Sequence, residues 1–170
     1  AELYDNLARF SQDILPTLRV EHVFYENKDK KDSLKQIQQM QIHDDYFREL
    51  FHGRFKQLAE ILMGSADGKN MQYFNKPPLI GKPTPPHQDG YYFMLSPSNH
   101  WGMRDHQRTD VLGFSQGIVD YGTSQDLEYE VAFPAKPGDL LVHHALTIHR
   151  ADGNRSTDRN RQALGFIYYS

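Results

Sequence analysis

Five of the chain's nine prolines, Pro77, Pro78, Pro83, Pro85 and Pro86, fall close together near its middle. Proline locks φ, lacks an N–H donor and pushes its predecessor into extended conformation, so residues 69–95 can hold no helix and must break into short extended pieces. Before this divide the pattern is helical. Phe47, Leu50, Phe51, Phe55, Leu58, Ile61 and Leu62 recur at three- and four-residue steps, which predicts a helix over 44–63. Asp44 or Asp45 serves as its cap and Gly64 as its stop. A shorter helix is expected around Ser33–Met40, and the charged run 27–32 reads as a solvated connection. After the divide, EYEVAF at 128–133, LLVHHALTIH at 140–149 and RQALGFIYY at 161–169 read as strands. Turns at KPGD (136–139) and ADGNRSTD separate them. Helices first and strands afterwards predict an α+β fold with a mainly β core: a helical layer over about 1–65, packed on one face of a sandwich or open barrel over about 69–170.

At 170 residues the chain has room for one domain with a real core. A net charge of −3 without a basic stripe argues against nucleic acid as a partner. The absence of cysteine excludes disulfides, thiolate metal sites and a Cys nucleophile. No run approaches twenty apolar residues and the N-terminus is acidic and polar, so the expectation is a cytoplasmic protein with no membrane partner. Oligomeric state is not legible.

The chemistry concentrates in HQDGYY at 87–92 and HHALTIHRADGNRSTDRNRQAL at 143–164. His87, Asp89 and His149 supply two imidazoles and one carboxylate, the facial set that leaves positions open on a non-haem Fe(II). One His-x-Asp triplet is weak evidence among nine His and 22 acidic residues, and a second stands at His43 and Asp45. Residues two apart share a face of a strand but not of a helix. His43 and Asp45 open the long helix and read as a cap and a surface charge. His87 and Asp89 lie in the proline-flanked extended segment, where both reach one ion, with Tyr91, Phe93 and Leu95 continuing their face. His149 closes strand 140–149 on the face of His143, Ala145 and Thr147, leaving Leu140, Val142, Leu146 and Ile148 for packing. His143 and His144 read as supporting residues. On the last strand Arg161 shares a face with Ala163 and Gly165, over open space. A guanidinium there suits the far carboxylate of a 2-oxo acid, gripped two-pronged. Arg159 is the alternative, while Arg150 and Arg155 read as solvated or paired with Asp152 or Asp158.

These segments, HQDGYYF, PGDLLVHHALTIHRADGNRS and RQALGFIYY, together with MQYFNKPPLIGKPTPPHQD upstream, resemble the phytanoyl-CoA dioxygenase family of Fe(II)- and 2-oxoglutarate-dependent oxygenases over roughly residues 44–170. The resemblance implies a double-stranded β-helix (jelly roll) behind N-terminal helices, with iron on His87, Asp89 and His149. It places the cosubstrate carboxylate on Arg161, and makes Gln72 and Asn75 in QYFNK further candidates for touching 2-oxoglutarate. It also implies consumption of O2, release of succinate and CO2, and hydroxylation of a small organic substrate. Related halogenases carry a small residue in place of the carboxylate, so Asp89 favours hydroxylation.

One departure from the family stands out. Asn99 runs straight into His100 where two further strands are usual, and the opening strand of the fold is missing too. The expectation is that residues are absent between Asn99 and His100, so that their Cα atoms lie far beyond the ~3.8 Å of a bonded pair. Substrate choice is expected in a lid loop over about 100–126, where Arg104, His106, Arg108, Ser115 and Gln116 offer polar grips. The basic residues there hint at an anionic substrate as readily as at a solvated loop. The competing readings are a sugar-binding or isomerase-like jelly roll without a carboxylate clamp, a hydrolytic zinc centre, and a catalytically silent binding module.

Overall fold

A computed structural model describes residues 2–93, 102–111 and 114–170, with Val111, Phe114 and Ser115 described by backbone alone. The expectation about Asn99 and His100 lies outside the described residues, as do Leu95 and the Ser115 side chain. The fold mixes helices with antiparallel sheets of four, two and two strands. It divides into two compact units, Ala1–Lys82 with Gly153–Ser170, and Pro83–Asp152.

The first unit is built on β3 (Asp67–Lys76) and β8 (Arg161–Tyr169), which pair antiparallel from Asp67↔Tyr169 to Lys76↔Arg161. The last strand read from RQALGFIYY is therefore present. β1 (Val23–Tyr25) and β2 (Leu34–Ile37) extend the sheet in the order β1-β2-β3-β8. One face carries Ile37, Met71, Tyr73, Leu164, Phe166 and Tyr168 and meets α1 (Glu2–Arg9), the following turn with Phe10, and α3 (Asp45–Leu50). Phe10 meets Phe47 edge-on at 5.3 Å, and Phe51 stacks on Tyr168 at 5.0 Å. Gly68 is required here, since a Cβ would fall 2.5 Å from the Phe51 ring.

Three expectations in this unit need correction. Residues 33–40 are not a helix: Leu34–Ile37 is a strand, followed by only a turn of helix, α2 (Met40–His43). Pairing of Gln36 with Phe74 and Ile37 with Tyr73 overrides local helical propensity. With β1, it means that residues 1–65 are not wholly helical. The helix expected over 44–63 is broken as well. α3 passes into a wide turn over Phe51–Phe55, where Gly53 (φ −96, ψ −106) leaves helical geometry, before α4 (Lys56–Met63). Its ends are as expected: the Asp44 carboxylate accepts from the Phe47 N–H at 3.3 Å, and Gly64 takes φ 85. Asp44 also takes a two-pronged contact from Arg9 at 2.7 and 2.9 Å, which holds its carboxyl below the usual range.

The second unit pairs β4 (Thr84–His87) with β7 (His149–Ala151), and β5 (His106–Val111) with β6 (Phe114–Ile118). Regular pairing thus occupies part of the expected lid loop. α5 (Asp89–Tyr92) is a turn of helix inside the segment expected to hold none. It starts three residues past Pro86, beyond the reach of the ring's constraint. α6 (Ser124–Tyr129) and a coil replace the strand expected at 128–133. The overlooked signal is a capping box in which the Thr123 hydroxyl accepts from Asp126 N at 3.1 Å and the Asp126 carboxylate accepts from Thr123 N at 3.0 Å. The strand expected over 140–149 does not form either. Leu140, Leu141 and Val142 are exposed, and only Leu146 of the expected packing face is buried. Among the described residues no strand pairs with 128–148, and alternation alone cannot make a ladder without a neighbour. The turn at 136–139 is present, with Gly138 at φ 97.

Candidate metal centre

Pro85 and Pro86 decide the local geometry. Neither can donate to a ladder, and the β4–β7 register shifts between Thr84↔Ala151 and His87↔His149. The shift frees the Pro85 carbonyl to accept from the His87 ring at 2.8 Å and makes His87 and His149 cross-strand partners, their rings 4.2 Å apart. Gly117 on β6 runs against this point, where a Cβ would sit 3.3 Å from Pro85 Cβ.

Gln88 is extended, and α5 begins at Asp89, so the carboxylate folds back towards both rings. Asp89 Oδ1 lies 3.4 Å from His87 Nε2 and 3.7 Å from His149 Nε2. The expectation that one strand face carries His87 and Asp89 is thus replaced by a strand end followed by a helical turn. Tyr91 and Phe93 do not continue such a face.

The ring tautomers follow from the partners. His87 Nδ1 donates to Pro85 O and His149 Nδ1 donates to Thr147 O, the latter at 3.0 Å, because a carbonyl can only accept. In the neutral rings both Nε2 lone pairs then face a carboxylate oxygen. Three electron-rich atoms within 4.8 Å of one another repel unless a positive charge lies between them. Burial depresses the His149 imidazole, with His87 adding to the effect, and so disfavours a proton in that role. Burial also opposes ionising Asp89; with protons on the two rings, a hydrogen bond from His87 and the charge of His149 would hold its carboxyl below the ordinary value, and between neutral rings a bound cation would take that part. Two nitrogens and one oxygen at these separations suit a divalent first-row ion with bonds of about 2.1 Å. The residues fit the metal that the sequence resemblance implies.

Gln88 is the residue the sequence reading missed. Its side chain is 1 % exposed and joins three segments: Oε1 accepts from Arg104 N at 2.9 Å, while Nε2 donates to Leu146 O at 2.8 Å and Gly102 O at 3.2 Å. A glutamine between two donors, pointing to the opposite side, was the available signal. His106 is structural: its Nδ1 donates to Arg104 O, its Nε2 accepts from Gln88 N, and its ring stacks on Tyr91 at 4.1 Å. Arg104 is bound to Asp120 at 2.7 Å and Asp126 at 2.6 Å, so its guanidinium is engaged within the second unit. Arg150 pairs with Asp152 at 2.7 Å, as expected, and also with Glu130. His143 lies 4.5 Å from the His149 ring, in a supporting position.

The remaining candidates belong to the first unit. Arg161 and Arg159 are exposed, Arg161 Nη1 donating to Gly153 O at 3.4 Å and Arg159 lying 3.9 Å from Asp158. Gln72 pairs with Gly165 in register, and Asn75 with Gln162. A three-residue step along a strand sends Gln72 and Asn75 to opposite faces. Asn75 follows Met71 and Tyr73 in the buried alternation, with its Nδ2 donating to Leu34 O at 2.9 Å. The two amides therefore do not converge.

The family described as Phytanoyl-CoA dioxygenase (PhyH) matches residues 98–163, a span that holds His149, Arg159 and Arg161 and begins after Asp89. No curated protein matches the sequence. Among solved structures, EvdMO1 is similar with a TM-score of 0.64 and 17% identity over 99% of this chain, which spans 42% of the length of EvdMO1. AviO1 from Streptomyces viridochromogenes Tue57 is similar with a TM-score of 0.63 and 15% identity, over 99% of this chain and 80% of that protein. At such identities the likeness is one of fold. Residues 98–163 are thus similar to the family that the chain's own motifs resemble.

Proposed function

We propose that this chain is a non-haem Fe(II)- and 2-oxoglutarate-dependent dioxygenase that hydroxylates a small organic substrate, on a double-stranded β-helix. The observation that carries the reading is the convergence of His87 Nε2, His149 Nε2 and an Asp89 oxygen, with both Nδ1 atoms already committed to backbone carbonyls. With iron and O2, a centre of this kind couples decarboxylation of 2-oxoglutarate to succinate with hydroxylation of a C–H bond. The protein's own part is to hold and exclude. His87, Asp89 and His149 form the iron-binding face, and their carbonyl partners fix each ring without a search over rotamers. Gln88 holds the segment that bears two of them. Arg161 is the carboxylate clamp, its guanidinium projecting beside Ala163 and Gly165, with Arg159 as the alternative. Gln72 is the nearer of the two amides to that role because it shares the face of Gly165, while Asn75 does not.

The test is anaerobic titration with Fe(II) and then 2-oxoglutarate, followed by the weak visible absorption of the chelate and by succinate release under air. Failure of the protein to take up Fe(II), or uptake with no response to 2-oxoglutarate, removes the reading. The metal-binding but non-oxygenase alternative makes an opposite prediction for Arg161→Ala: unchanged affinity for 2-oxoglutarate and unchanged activity.

A further inference from the structure

The non-helical face of the four-stranded sheet carries a residue with no assigned purpose. In β3 the burial alternation places Met71, Tyr73 and Asn75 on one side and Gln72, Phe74 and Lys76 on the other. Ile37 belongs to the helical core, so Gln36, its neighbour on β2, faces the other way with Gln72. There its Nε2 donates to Gln72 Oε1 at 2.6 Å. Phe74 and Gly165 confirm the side, since a Cβ at Gly165 would lie 3.2 Å from the Phe74 ring. Arg161 and Ala163 lie on this face by the same alternation along β8.

Gln36 is 2 % exposed, and among the described residues its Oε1 has no hydrogen-bond partner. Burying an amide oxygen unsatisfied is costly, and an aliphatic side chain of similar size would avoid the cost. The fold keeps the amide nonetheless, and what it accomplishes is visible. By donating to Gln72 Oε1 it fixes the Gln72 amide, so that the two N–H bonds on Gln72 Nε2 point away from Gln36. A fixed pair of N–H donors on the face that bears Arg161 suits an anionic oxygen.

Resting on the oxygenase reading above, we propose that Gln36 is a positioning residue for 2-oxoglutarate: it orients Gln72, whose Nε2 donates to an oxygen of the cosubstrate.

The experiment is calorimetric binding of 2-oxoglutarate to the full chain loaded with Mn(II), for wild type, Gln36→Leu, Gln72→Leu and the double variant, with Tm measured for each. Gln72→Leu is expected to weaken binding about 10-fold, the effect of losing one hydrogen bond to a charged group, and Gln36→Leu about 5-fold. The double variant should be no weaker than Gln72→Leu alone, because Gln36 acts through Gln72. The Tm of Gln36→Leu should equal or exceed that of wild type, since the unsatisfied oxygen is gone. In turnover, the KM for 2-oxoglutarate should rise while kcat stays near its wild-type value. Unchanged affinity in Gln36→Leu, additive losses in the double variant, or a lowered Tm with unaltered affinity each overturns the proposal. Wild-type protein that binds no 2-oxoglutarate overturns it together with the oxygenase reading, whereas wild-type binding with an indifferent Gln36→Leu leaves that reading standing.

Discussion

The β3–β8 ladder and the metal-bearing unit are stabilised by different means. Along the ladder, stability comes from bulk. Phe10, Phe47, Phe51, Met71 and Tyr73 are almost fully buried, and Phe51 stacks on Tyr168 while Phe55 stacks on Phe166 at 4.0 Å. Around the metal centre, residues 127–144 are exposed throughout, including Tyr129, Val131, Phe133, Leu141 and Val142. Order there depends on directional contacts made by a few side chains, Gln88 above all. A surface built on apolar area tolerates small losses anywhere, while one built on a few amide contacts fails at particular atoms.

The largest break should come from Phe51→Ala. It removes a ring packed on Phe166, Tyr168 and Gly68, and should cost about 3–5 kcal/mol in urea unfolding. The folded fraction should still bind metal, and lost affinity without lost stability would contradict this division of labour. Next comes Asp89→Ala. Its metal affinity should fall at least 100-fold, about 2.7 kcal/mol by the tenfold rule, beyond what loss of a supporting partner costs. Metal-free stability should be unchanged or higher, because the oxygen facing two lone pairs is gone. A smaller effect on the same unit is expected from Gln88→Ala, about 1–3 kcal/mol of stability through the orphaned N–H and carbonyl groups it serves. About tenfold weaker metal binding should accompany it, and calorimetry with protection of the 102–104 and 145–146 amides checks both. The smallest effect is a pH dependence. Arg104 and the Thr123 cap hold the Asp126 carboxyl down at about 2, below its ordinary value of 3.8. Its stabilising contribution is therefore present above about pH 4 and lost as pH falls towards 2. In Asp126→Asn the acid limb of the melting profile should flatten, and an identical limb would show that α6 is capped by other means.

How far the sequence could be read follows the same contrast. β8 was legible because RQALGFIYY alternates cleanly and meets a long partner. The cap at Asp44 and the stop at Gly64 were legible because they act within one turn. The three donors were legible from residue type, although the geometry that unites them was not the one expected. A proline-driven shift and a turn of helix do what a plain strand was expected to do. Residues 34–37 were misread because their conformation is set by β3, some forty residues on, and not by their own propensities. Residues 128–148 were misread for the converse reason: their alternation predicts strands, but the described structure supplies no neighbour, and the Thr123–Asp126 box starts a helix first. Gln36 and Gln88 escaped notice because a buried glutamine differs from an exposed one only through its surroundings.

The cross-strand placement of His87 opposite His149 has a mechanical corollary. β4 and β7 are four and three residues long and share an irregular register, so little in the backbone resists a slip. Sliding either strand by one position would turn one imidazole to the far side. An ion gripped by both rings therefore rivets the ribbon, and loading should slow amide exchange at Thr84 and Ala151 as well as complete the centre.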